Sequence, residues 1–463
     1  MATTQPASST GQSDTGRSAR RWTLVAMSLG FAVVQLDISV VNVALKSIGS
    51  ALGGGVSDLQ WVVNAYTIGF AAFILTAGAL GDRIGARRVF VSGFLLFMVA
   101  SAVCGLAPNL GVLIAARAIQ GIGAAVLVPS SLSLLNHAYT EPAARSRAVG
   151  LWLAGASTAL SGGPLIGGIL IATLGWRAIF FINVPVALAG IYLTRRYASE
   201  TSQSRDRGVD VGGQVLAVLT LTSLVAATIE GGSRGFGSPL VLGGFALAVA
   251  AGGAFVAVEA RSARPMLPLR LFENRTFSVT AAMGLLINIA FYGLIFVFSL
   301  LFQREQGLTP LETGLALAPI MIAITIANLL AGRIDQRFGP RRTVAVAIVV
   351  LAAASAALVG VGASTGYGAM VVQLSALGAA AGSIIPVITS ELLGSVDRTR
   401  SGVAAGTLNT LRQTGSAIGV ALFGSLLASH GGFISGVHAS LAITVGLCVA
   451  IGALTPLLRD RAG

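Results

Sequence analysis

After residue 21 the chain reads as long apolar runs interrupted by short polar stretches, with none of the two-residue alternation that marks barrel strands. A spanning helix needs about 20 mostly apolar residues, because each rises about 1.5 Å through a hydrocarbon core about 30 Å thick. That window predicts fourteen spans. Six lie near 22–46, 57–80, 88–106, 109–135, 147–171 and 177–195. Two follow near 211–229 and 239–259, and six more near 277–302, 311–332, 343–362, 367–390, 402–428 and 438–458. Amides in lipid must bond within their own segment, so the expected class is all-α and integral to the membrane.

The polar interruptions supply an orientation. Alternate loops carry Arg17, Arg20 and Arg21, then Arg83, Arg87 and Arg88, then Arg145 and Arg147. The same side collects Arg195, Arg196, Arg205 and Arg207, followed by Arg261, Arg264, Arg270 and Arg275. Arg333, Arg337, Arg341, Arg342, Arg398, Arg400, Arg459 and Arg461 bring it to 24 of the 30 basic residues. The intervening loops hold only Lys46, Arg177, Arg234 and Arg304. By the positive-inside rule the arginine-rich side is cytoplasmic and both termini lie there, in a cell (inner) membrane protein. Composition agrees: 54% of 463 residues are hydrophobic and 10% charged, far from the roughly 25% charged of a soluble domain. The net charge of +13 is therefore a topology signal, and no nucleic-acid partner is expected. Cys104 and Cys448 sit in apolar runs, which implies neither a disulfide framework nor a metal site.

The chain repeats itself. Asp82-Arg83-Ile84-Gly85-Ala86-Arg87-Arg88 recurs as Gln336-Arg337-Phe338-Gly339-Pro340-Arg341-Arg342, offset by 254 residues, and the same offset carries span 1 onto span 9. The expected organisation is a disordered cytoplasmic tail (1–21), an N-terminal six-helix half (22–196) and a linker holding an inserted hairpin (197–276). A C-terminal six-helix half (277–458) and a short cytoplasmic tail (459–463) complete it. Duplicated halves with a binding site near the midplane are a transporter architecture.

Four stretches resemble one family. Leu36 to Leu45 (LDISVVNVAL) lies in span 1, and Gly78 to Arg88 (GALGDRIGARR) joins spans 2 and 3. Arg117 to Gly123 (RAIQGIG) lies in span 4, and Gly163-Pro164-Leu165-Ile166-Gly167-Gly168 in span 5. Trp176-Arg177 followed by Ile182-Asn183-Val184-Pro185 adds a similar start to span 6. In this order the motifs resemble the major facilitator superfamily and, within it, the fourteen-span drug:proton antiporters. The resemblance implies two six-helix halves plus two inserted helices. It also implies a proton-coupling role for Asp37 and Arg117, and a span-5 face that seals the periplasmic side. The loop Gly81, Asp82, Arg83, Gly85, Arg87, Arg88 is implied to latch cytoplasmic gates; Gln336 in place of Asp82 implies that the second latch is degraded.

The residues themselves support part of this. Asp37 is the only carboxylate well inside an apolar span, and such a group marks an ion path or a proton site. Arg117 cannot shed its proton and needs a partner, for which Asp37 is the candidate; Gln120 shares its helix face. Arg412, with Asn409 on its face, has no intramembrane acid in its own half. Arg412, Asn409, Asn42, Gln120, Phe291 and Tyr292 are candidates to line a substrate cavity. In span 5, Gly155, Ala159, Gly163 and Gly167 recur every four residues, a face another helix can approach closely, and Pro164 bends it.

Other classes are excluded by what the chain lacks. No GxxxxGK[ST] phosphate loop is present, an aspartyl hydrolase would need a second intramembrane aspartate, and His137, His430 and His438 fall near span ends. The reading is a non-enzymatic, proton-driven exporter of hydrophobic or amphipathic drugs or antibiotics. It needs no cofactor or metal, works as a monomer in the lipid bilayer, and draws on the proton gradient. The alternative is a carrier of one specific metabolite in the same superfamily.

Overall fold

The computed structural model describes residues 10–201, 210–262, 265–362, 365–397, 401–429 and 431–458. The tail residues 1–9 and 459–463 and loop arginines Arg205, Arg207, Arg264, Arg398, Arg400, Arg459 and Arg461 lie outside that set. The first seven helices are α1 (Thr10–Leu52), α2 (Val56–Ile84), α3 (Ala86–Leu106), α4 (Leu110–Ala138), α5 (Pro142–Leu174), α6 (Ala178–Phe181) and α7 (Asn183–Tyr197). A helical pair follows, α8 (Val211–Arg234) and α9 (Pro239–Arg261). The last six are α10 (Arg275–Leu300), α11 (Pro310–Phe338), α12 (Pro340–Ala357), α13 (Val371–Gly394), α14 (Ser401–Ala428) and α15 (Phe433–Leu454). Among the described residues 13 helical stretches are long and apolar enough to cross a membrane; α14, which carries Arg412, runs beside them as the fourteenth.

Local chemistry sets the boundaries. Gly85 and Gly339, one repeat apart, turn the chain at φ of 99° and 79°, conformations a side chain would resist. Asn109 caps α4 by accepting from the Val112 amide at 3.0 Å, and Thr309 and Glu312 cap α11 reciprocally. Two elements depart from the expected spans. Span 6 is broken into α6 and α7 at Ile182, because Pro185 has no amide to give the Phe181 carbonyl. Helix α1 starts at Thr10 rather than at residue 22, propagating out of a span that is already nucleated.

Packing follows the repeat. In the first half α2 lies on α4 and α1 on α5; in the second α11 lies on α13 and α10 on α14. A Cβ on Gly121 would meet the Tyr66 carbonyl at 2.1 Å, and one on Gly378 would meet the Ile320 carbonyl at 2.2 Å. Tyr66 and Ile320 are themselves 254 residues apart, so this close helix approach occurs once in each half. The halves meet along two seams, α2 on α14 and α5 on α11, which a two-fold relation exchanges. Helix α8, with α9 packed against it, covers the first seam, where Leu221, Val225 and Ile229 pack with Ile68, Ala71, Ala72, Ala417 and Ala421. Gln214 fixes it by donating to the Ala72 carbonyl at 3.1 Å and accepting from Thr76.

Candidate functional site

Asp37 and Arg117 form an ion pair between α1 and α4, with the carboxylate fully buried and the guanidinium 1% exposed. Around it a polar network closes from four helices. Gln120 donates to Asp37 Oδ1 at 2.8 Å and to Ser101 Oγ at 2.7 Å, and Asn183 donates to the same carboxylate oxygen at 3.1 Å. Arg117 also donates to Gln120 Oε1 at 2.7 Å and to the Val62 carbonyl at 3.1 Å, and lies 4.2 Å over the Tyr66 ring. Both carboxylate oxygens thus accept N–H bonds. A proton arriving at Asp37 has to displace one of these donors, since a protonated carboxyl needs an acceptor instead.

The sequence finds the pair but not its whole setting. Gln120 is a member of the carboxylate network, fully enclosed behind Arg117, rather than a cavity-lining residue. Ser101 and Asn183 are additions. Asn183 has a visible signal, a polar residue at the break of span 6; Ser101 in an apolar run has none. Among the described residues no group of three His, Cys, Asp or Glu side chains comes together to hold a metal ion.

The corresponding place in the second half is apolar. Phe291 stands 254 residues after Asp37, and Leu377 precedes Gly378 as Gln120 precedes Gly121. Phe291, Leu377, Ile320, Leu351 and Phe298 line a void of about 10 Å³ inside that half. Phe291 is therefore a core residue of its own half, whereas the adjacent Tyr292 faces the seam between halves. There Tyr292, Ser416 and Val420 close with Ile38, Asn42, Val63, Tyr66, Thr67 and Arg117 around a second void of about 10 Å³. That is space for a single water. Arg117 is thus the member of the network that meets the seam.

At the end opposite the arginine-rich loops the halves are locked together. Lys46 donates to the Gln303 carbonyl, which a widened helical turn over Leu301–Glu305 leaves free, and Ser299 donates to the Asn42 carbonyl. Gln60 donates to the Val420 and Ala421 carbonyls at 3.1 and 2.7 Å. The span-5 motif serves both neighbours of α5. A Cβ on Gly163 would strike Ser39 of α1 at 1.7 Å, and one on Gly167 would strike Val40 at 2.5 Å. Gly168 turns the other way: its Cβ would lie 2.8 Å from the Leu311 Cα of α11. A Cβ on Gly314 of α11 would in return meet the Pro164 carbonyl at 2.3 Å. Pro164, Leu165 and Gly168 are thus the members of this motif that meet α11 of the opposite half. Deeper in, Ser161 and Thr325 share a hydrogen bond at 2.6 Å, and on the other seam Gly406 approaches Leu75.

The loop motif is held within its own half. Arg87 donates to the Arg195 carbonyl at 2.7 Å, and Glu200 accepts from the Arg87 and Arg88 amides at 2.9 and 3.3 Å over the start of α3. Glu200 falls in what the sequence marks as linker, and it is the residue that fixes this loop. Gly81 gives its carbonyl to the Gly85 amide at 3.1 Å; Asp82 and Arg83 complete the last turn of α2. Arg412 and Asn409 sit on α14, both half-buried, one and nearly two turns from Ser416 toward the arginine-rich end.

Comparison with known proteins agrees with this architecture. The sequence profile of the Major Facilitator Superfamily matches residues 27–420 and separately 280–462. The chain is 36% identical over 432 residues to the methylenomycin A resistance protein of Streptomyces coelicolor, covering 93% of this chain and 90% of that protein. It is 35% identical over 407 residues to the multidrug resistance protein Stp of Mycobacterium tuberculosis, covering 88% and 76%. Its fold matches the crystal structure of a bacterial homolog of the human lysosomal transporter Spinster with a TM-score of 0.69. That likeness covers 96% of this chain and 99% of the other at 16% identity. Two bundles built on one repeat, a membrane-length helix set and a match across nearly the whole chain lead to one assignment: this protein belongs to the Major Facilitator Superfamily and is a multi-pass membrane transporter, not an enzyme.

Proposed function

We propose that the protein is a proton-coupled exporter of hydrophobic or amphipathic drugs and antibiotics, working by alternating access in the cell (inner) membrane with both termini cytoplasmic. The observation that carries it is the buried Asp37–Arg117 pair, one titratable acid whose cation partner also faces the seam between halves. A proton on Asp37 frees Arg117 toward the seam; substrate or rearrangement at the seam returns Arg117 to Asp37 and expels the proton. The two units at 22–196 and 277–458 rock against each other, and 197–276 supplies the hairpin laid over one seam. The state described here is the one closed at the extracellular end, with Asn409 and Arg412 turned toward the cytoplasmic approach. The named relatives confer resistance to methylenomycin A and to multiple drugs, which supports a substrate that is removed from the cell. The protein acts as a monomer without a cofactor, drawing on the proton gradient.

Inverted membrane vesicles test this. A drug-sized dye should accumulate inside them while a proton gradient, acid inside, is imposed, and should leak out when an ionophore collapses it. Accumulation that persists after collapse contradicts antiport.

A further inference from the structure

Arg412 is the second intramembrane cation, and its surroundings differ in kind from those of Arg117. Its Nε is enclosed and makes no hydrogen bond, and among the described residues no carboxylate lies within 4.0 Å of the guanidinium. A guanidinium keeps its charge under all physiological conditions and carries five donors in a fixed fork. Left unpaired within a bilayer, such a charge is costly and marks a site where something else supplies the counter-charge.

The groups around it are suited to a ligand admitted when the seam parts, since the void between the halves at this level holds a single water as it stands. The Arg412 stem runs past Gly284 of α10, where a Cβ would lie 3.7 Å from Arg412 Cγ and 2.8 Å from Leu408 Cδ1, so the glycine lets α14 pack closely on α10 at the level of this arginine. Tyr292 is its electrostatic neighbour, and Asn409 stands three residues away on the same face of α14. Toward the closed end lie Ser416 and Val420, then the apolar edges Ile38 and Val63. Among the described residues of the N-terminal half, Asp37, the carboxylate buried within a span, is already taken by Arg117. The region where cargo meets the seam therefore holds one uncompensated positive charge.

We propose that Arg412 is a specificity-determining residue that binds the anionic group of the cargo, so the preferred substrates are amphipathic organic anions such as carboxylates. This rests on the export reading in taking the ligand as cargo. The guanidinium takes the carboxylate through two N–H bonds, the Tyr292 hydroxyl and Asn409 amide add donors, and the apolar body lies along Ile38, Val63 and Val420. Export of a monoanion against one proton moves two charges, so an inside-positive potential alone should drive its uptake into inverted vesicles.

The test uses three probes with one apolar body: 9-anthracenecarboxylate, its methyl ester and 9-anthracenemethylammonium, titrated against the purified protein by fluorescence. The wild type should bind the carboxylate about tenfold to hundredfold more tightly than the ester, the range expected for a charged hydrogen bond. Arg412→Gln should erase that preference and Arg412→Lys should restore part of it, with both variants eluting as the wild type does on size exclusion. A carboxylate that binds no better than the ester, or not at all, overturns the proposal, as does a preference unchanged in Arg412→Gln. The vesicle assay reads separately: gradient-driven uptake of the ester or the ammonium with no carboxylate preference overturns the anion specificity while leaving proton-coupled export standing.

Discussion

Asp37→Asn is expected to bring gradient-driven uptake in inverted vesicles down to that of vesicles lacking the protein. Asparagine keeps an acceptor for Arg117 and Gln120 but cannot take up and release a proton, so the variant loses coupling before it loses packing. Removing one member of a buried ion pair costs about 3–5 kcal/mol when nothing replaces it. Here the retained carbonyl and the Arg117 bond to Val62 offset part of that cost. The variant should therefore fold, bind a fluorescent substrate and exchange it passively, with only the response to the proton gradient gone. Asp37→Glu, which restores the acid on a longer stem, should recover part of the gradient response. Full transport by Asp37→Asn would assign the coupling elsewhere.

Gly168→Val should be the most damaging substitution that touches no polar group. The added Cβ meets the Leu311 Cα at 2.8 Å and the Pro310 carbonyl at 2.9 Å, and both are backbone atoms that no rotamer change can move. Overpacking of this kind costs about 1–3 kcal/mol, borne only by the state in which α5 and α11 are in contact. That penalty shifts the balance between the two transporter states by about 5–150-fold toward the open extracellular side. Transport should fall by the same order. A cysteine introduced at Asn42 should react faster with an impermeant thiol reagent applied from outside, against a low background because Cys104 and Cys448 are buried. Gly155→Ala is the control: its Cβ has only Ser28 nearby, at 3.8 Å, and transport should be unchanged. Equal labelling in the wild type and Gly168→Val would contradict the role given to this contact.

Much of this site is legible in the sequence because a charge inside an apolar span has few ways to be satisfied. Asp37 and Arg117 stand out on isolation alone, and each is the other's nearest remedy. The glycines of span 5 are visible for the same reason, as a four-residue period of missing side chains. What periodicity cannot convey is which helix lies opposite a given face. It places Phe291 and Tyr292 together, whereas their directions differ: one enters the core of its own half and the other the seam. It puts Gly163, Gly167 and Gly168 in one motif, although Gly168 meets α11 and the other two meet α1. Asn183 of α7 reaches Asp37, and Ser101 of α3 reaches Gln120 and Asn183, only after four helices are assembled. Glu200 lies in a stretch that reads as linker, and its partners are amides that every residue carries.

The most direct test of the Asp37 assignment is infrared difference spectroscopy of the purified transporter, titrated from alkaline to acidic pH. The wild type should show the carbonyl band of a protonated, buried carboxyl group growing in reversibly as the pH falls, and that band should be missing from Asp37→Asn. A variant that retains the band in full would show that another group takes the proton and would contradict the assignment of Asp37 as its carrier.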